Sequence, residues 1–95
     1  MNPEIFENPY SFGPGQIVVA RFTNSGRVNQ FVGKVIRRTK NDWKILAFTS
    51  PYESEAPGRI FSVATHESRI YSSNNRIVRL ANEQEQLIPE PEARR

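Results

Sequence analysis

His66 is the one side chain of this chain whose ordinary pKa suits proton transfer near neutral pH. Acid–base catalysis needs a second group within hydrogen-bond reach of the first. Glu67 and Ser68 follow His66 directly, but neighbours along a strand point to opposite sides. No nucleophile elbow accompanies them. The chain has no cysteine, which removes thiol nucleophiles, thiolate metal ligands and disulfides. Its five glycines, Gly13, Gly15, Gly26, Gly33 and Gly58, are too scattered to build a phosphate-binding loop. No cluster of metal ligands stands out. The residues therefore predict a protein that is no enzyme and that carries no cofactor and no metal.

Cations interleaved with aromatics are the better-populated chemistry. Between Gln16 and Leu80 stand eleven Lys/Arg against four Asp/Glu, a surplus of seven, while the net charge of the whole is +3. A basic body with acidic flanks predicts a polyanion or an acidic protein surface as partner, or else an ordinary solvated surface. The densest basic patch is Lys34, Arg37, Arg38, Lys40 and Lys44, with Arg76 and Arg79 further on. Side chains two apart on a strand share a face. Strict alternation therefore sends Lys34 and Arg38 to one side and Arg37 to the other, unless the twist and the turn bring all of them to one rim. The aromatics interleaved with these cations are Phe22, Phe31, Trp43, Phe48 and Tyr52. Cations on phosphates with rings on bases is how many proteins hold nucleic acid. Burial in a core is the competing use of the same phenylalanines.

The elements that must position these side chains are short and extended. Gln16 to Phe22 and Gln30 to Arg38 are apolar, β-branched runs around a polar turn, Thr23 to Asn29. In the first run Val18, Ala20 and Phe22 face one way, and Ile17, Val19 and Arg21 the other. Gly33 interrupts the second run, which suits a bend or the close approach of another strand. Trp43 to Thr49 forms a third strand, with Trp43, Ile45 and Ala47 alternating against Lys44, Leu46 and Phe48. Arg59 to Thr65 and Arg76 to Leu80 supply the fourth and fifth. No stretch of twelve residues has a clear helical period. The prediction is all-β: one domain of 95 residues, a small SH3-like barrel of about five strands over residues 12–80, with a small open β-sheet carrying a C-terminal helix as the alternative. Flexible termini flank it, an N-terminal arm at 1–11 and a short helix or disordered tail at 81–95. Leu87 and Ile88 are the residues placed to dock that tail, and Pro89 and Pro91 end any helix.

Beyond the general pattern, the runs FGPGQIVVARFTNSGR, FVGKVIRR and WKILAF resemble the opening of a Tudor-type domain. Ala20-Arg21-Phe22 matches the small–basic–aromatic end of that family's first strand. Phe31, Gly33, Lys34 and Val35 match its second. The resemblance covers residues 12–48. It implies an SH3-like barrel and a cage of aromatics for methylated lysine or arginine. Carried onto this chain, the cage would draw on Phe22, Phe31, Phe48 or Ala47, and Tyr52. Thr49-Ser50-Pro51 stands where the family carries an acidic turn, which leaves Glu53 as the substitute acid.

Three functions follow as expectations. The first is a protein-binding module that takes a protein or peptide, including a modified tail, in an aromatic notch formed by Phe22, Phe31, Phe48 and Tyr52. The second is a nucleic-acid-binding barrel, which requires Arg37, Arg38, Lys40 and Lys44 on one face with Arg76 or Arg79. The third is a small accessory subunit whose arms order in a larger assembly. The N-terminus has an acid at Glu4 and no unbroken apolar stretch, so it is not read as a signal peptide. No run approaches the ~20 apolar residues of a membrane span. A soluble, intracellular protein of cytoplasm or nucleus is expected, with no membrane partner.

Overall fold

The apolar runs are rich in Val, Ile and Phe, and such side chains pack well on a pleated surface. The computed structural model describes residues 12–24, 27–50, 56–64 and 76–93. There the runs form strands β1 (Ile17–Asn24), β2 (Arg27–Arg38), β3 (Asp42–Ala47), β4 (Ile60–Ala64) and β5 (Arg76–Leu80). All pairings are antiparallel, in one sheet ordered β4-β3-β2-β1-β5. The all-β prediction holds. A single 3-10 turn, Glu85–Leu87, is the one helical element among the described residues. The hydrogen-bonded ladder is open between the edge strands β4 and β5, although their Cα atoms come within 8 Å of one another.

Most of the polar turn expected at Thr23 to Asn29 is strand. Thr23 pairs with Val28 and Asn24 with Arg27. The β-branched Thr23 and Val28 stand opposite each other and extend the ladder almost to the hairpin tip. At the entrance to β1, Pro14 and Gly15 occupy the central positions of a turn closed by Gln16 N–H donating to Gly13 C=O at 3.2 Å. Gly15 has φ +93°, the left-handed value that the third position of a type II turn demands.

Gly33 has a steric reason. A Cβ built there would lie 2.6 Å from the Leu46 carbonyl oxygen and 2.7 Å from Ile45 Cγ2. β3 therefore crosses closer to β2 than any side chain would permit, and the sheet can bend at this point.

The bend encloses a core on the inner face: Phe12, Val18, Ala20, Phe31, Val35, Trp43, Ile45, Ala47, Phe61, Val63 and Ile77. Phe12 sits edge-on to Trp43 (6.2 Å between centroids, 87°), and Phe31 lies against Phe61 at 4.8 Å. The opposite, outer face carries a second buried cluster of Val19, Val32, Leu46 and Phe48. The alternation expected is found for Val18 and Ala20 against Ile17 and Val19, and for Trp43, Ile45 and Ala47 against Leu46 and Phe48, while the Phe22 side chain lies outside the described set. Both sides of the sheet are thus apolar at its centre, and the outer side needs its own cover.

Candidate functional site

Register decides where the cations go. Residues paired across an antiparallel ladder share a face. Lys34 pairs with Leu46, which belongs to the outer cluster. The β2–β3 register then slips between Val35 and Arg37. Such a bulge adds one residue to one strand and reverses the parity beyond it. Arg37 consequently pairs with Lys44 on the outer face, and Arg38 pairs with the core residue Trp43. Strict alternation had put Lys34 with Arg38 and against Arg37. The bulge at Ile36 overturns that: Lys34 and Arg37 share the outer face. The Arg38 guanidinium lies 5.0 Å from the Trp43 ring centroid, at the rim of the inner core. A cation over an indole face is a favourable contact.

On the other side of the sheet's centre, Val19 pairs with Arg79 and Arg21 with Arg76. Arg21 Nη2 donates to Gln30 Oε1 at 3.1 Å. The outer face therefore bears Arg21, Lys34, Arg37, Lys44, Arg76 and Arg79, drawn from four of the five strands. Lys44 Nζ reaches Ser62 Oγ on β4. Lys40 is exposed in the β2–β3 turn. Arg37 and Lys44 thus share the outer face at the β2–β3 end, with Lys40 in the adjoining turn, whereas Arg38 sits on the inner side over Trp43, so the four cations expected on one face do not all lie on it; Arg21 and Arg76 lie towards the β1–β2 end.

Between these two ends lies the C-terminal segment. Ala81 N–H donates to Ile17 C=O at 2.9 Å, which continues the β5–β1 pairing by one residue. Asn82 and Glu85 then bond reciprocally: Asn82 N–H to Glu85 Oε1 and Glu85 N–H to Asn82 Oδ1, each at 2.8 Å. This is the logic of a capping box. The same carboxylate receives Arg79 through two bonds, Nη1 to Oε1 at 2.7 Å and Nη2 to Oε2 at 2.9 Å. The Arg79 bond, then the Asn82 N–H, hold the Glu85 carboxyl below its ordinary value of 4.5. That bond to Glu85 also raises the Arg79 pKa.

Ile88 precedes Pro89, which disfavours helix at Ile88. Its backbone is extended (φ −64°, ψ 129°) and ends the 3-10 turn. Ile88 packs against Val19, Val32, Leu46 and Phe48. Leu87, the other residue placed to dock, is 80% exposed. Two residues beyond Ile88, Glu90 Oε2 meets Lys34 Nζ at 2.7 Å. The segment thus crosses the outer face as a strap, with an acid on Arg79 of β5, an aliphatic on the central cluster and an acid on Lys34 of β2.

Of the four aromatics expected in one notch, Phe31 and Phe48 are not brought together. Phe31 is 1% exposed in the inner core, whereas Phe48 belongs to the outer cluster, on the far side of the sheet. Every aromatic side chain among the described residues, Phe12, Phe31, Trp43, Phe48 and Phe61, is buried. Phe22 lies on β1 opposite Asn29, with its side chain outside the described set. Tyr52, Glu53 and His66 lie outside the described residues. Among the described residues no group of three His, Cys, Asp or Glu could hold a metal ion, and no helix is long and apolar enough to cross a membrane.

Sequence reasoning missed the strap's path and the bulge. Ile88 before Pro89 marks a docking residue in the sequence, but not the surface on which it docks. Scanned against protein-family models the chain finds no match, and searches of curated proteins and of solved structures return no significant match either.

Proposed function

We propose that this chain is a non-catalytic binding module of the SH3-like barrel kind, and that it grips the phosphate backbone of nucleic acid through the β2–β3 end of its outer face. The barrel reading is supported by the strand order, with β1 between β2 and β5, and by the approach of the two edges. The likeness to Tudor-type domains at residues 12–48 agrees with it.

One observation carries the ligand class: the bulge that turns Arg37 onto the face of Lys44, with Lys40 exposed in the turn that joins their strands. Arg37 and Lys44 also share that face with Arg76 and Arg79. The expected aromatic cage has less support, since Phe31 and Phe48 are buried on opposite sides of the sheet. Contact of these cations with the phosphate backbone positions a nucleic acid without reading its sequence.

The test is polarisation of labelled duplex and single-stranded oligonucleotides across a salt series. The wild-type chain should bind at low salt and weaken steeply as salt rises. Each phosphate contact contributes a slope of roughly −0.9 in log K against log salt on duplex DNA. Arg37→Glu with Lys44→Glu should remove most of the binding and flatten the slope. Absence of binding at micromolar protein and low salt would refute the proposal. Binding that ignored salt would refute it equally.

A further inference from the structure

We infer that the middle of the outer face is a docking seat for an extended acidic peptide of a partner protein, and that the C-terminal strap is its resident, exchangeable occupant. The seat consists of the apolar floor Val19, Val32, Leu46 and Phe48, flanked by Arg79 on β5 and Lys34 on β2. The strap specifies what fits. Glu85 takes Arg79, Ile88 takes the floor and Glu90 takes Lys34. The recognised pattern is an acid, a branched aliphatic three residues later and a second acid two residues beyond that. A proline after the aliphatic keeps the peptide extended.

The strap holds by little. Beyond Ala81 it is attached by two ion pairs and by Ile88, which like Pro91 is only partly buried. Side-chain exposures of 28% and 50% for Lys34 and Glu90, and 46% and 23% for Arg79 and Glu85, leave both pairs open to solvent. Pairs of this kind are weak and screened by salt. Covalent tethering compensates, because a linked segment faces its seat at a high effective concentration. A free peptide of the same chemistry must outcompete that tether, so its apparent affinity is reduced by the fraction of time the seat is open. None of Arg37, Arg38, Lys40 and Lys44 belongs to the seat, so this site stands or falls independently of the nucleic-acid proposal.

The experiment uses the full-length chain, its Ile88→Ser variant and a labelled synthetic peptide that copies residues 82–92. Polarisation should show the variant binding the peptide about tenfold or more tighter than the wild type, because its own strap competes poorly. Adding Lys34→Glu to the variant should abolish that gain, as should replacing the isoleucine of the peptide by serine. The doubly neutralised chain, Glu85→Gln with Glu90→Gln, loosens the strap without touching the floor. It gives the same comparison if Ile88→Ser loses its fold. Equal affinity of wild-type and loosened chains, or no binding by either, would overturn the inference. A concentration-dependent dimer of the loosened chain would overturn it too, by making a second copy the occupant.

Discussion

The inner and outer faces of this sheet are both apolar at the centre, but they are closed in different ways. The inner face closes on itself. Its large side chains, led by Trp43 and Phe31 at 1% exposure, come from the strands, and Phe12 just ahead of β1 packs edge-on to Trp43 to complete them. The outer face carries four buried side chains and is completed by a single isoleucine of a segment outside the sheet. A self-closed core cannot be exchanged without unfolding the strands that form it. A face covered from outside can be uncovered while the sheet persists. Stability should therefore reside on one side of the molecule and recognition on the other.

The sharpest way to break this contrast is to truncate the inner side. Trp43→Ala or Phe31→Ala should cost about 3–5 kcal/mol, the range for deleting a buried aromatic. In a domain of this size that is enough to abolish the cooperative urea transition. Gly33→Ala comes next. The new methyl meets backbone atoms of Leu46, which cannot step aside as a flexible side chain would. A loss of about 1–3 kcal/mol is expected, as for overpacking. A neutral result in urea denaturation would mean that β2 and β3 separate at no cost. Ile88→Ala should be milder, about 1 kcal/mol, because Ile88 is only partly buried and its neighbours remain. Should it cost as much as Phe31→Ala, the outer cluster would be an inseparable part of the core.

Much of this division could be read along the chain. Val18 and Ala20 against Ile17 and Val19, and Trp43, Ile45 and Ala47 against Leu46 and Phe48, follow the period of two that a strand imposes. The glycine at position 33 announced a close approach. The functional face was harder to read. A bulge changes which side a residue occupies without changing its type, and nothing in the run VIRR distinguishes a paired residue from an extra one. Arg37 was assigned to the wrong side for that reason. The strap was obscure because its contacts are distant in sequence. Lys34 and Glu90 are 56 positions apart, and local pattern carries no information on such a pairing.

The smallest effect expected is the most specific to the outer side. Glu85 has a pKa below the ordinary value in the folded chain, chiefly through its bonds from Arg79 and from the Asn82 N–H. A carboxyl depressed by folding contributes stability above its unfolded value, near 4.5, and loses it as pH falls through the folded value. Glu85→Gln carries no titrating group at this site. The wild type should therefore be the more stable to urea at pH 7, by well under 1 kcal/mol for a solvent-exposed pair. The two midpoints should converge as the pH is taken below about 4.5. Salt at pH 7 should narrow the same gap, since the Arg79 pair is open to solvent. A difference that persisted unchanged at pH 3 would assign the contribution of Glu85 to its reciprocal bonding with Asn82. Arg79 would then be a cation near the strap and no clamp on it.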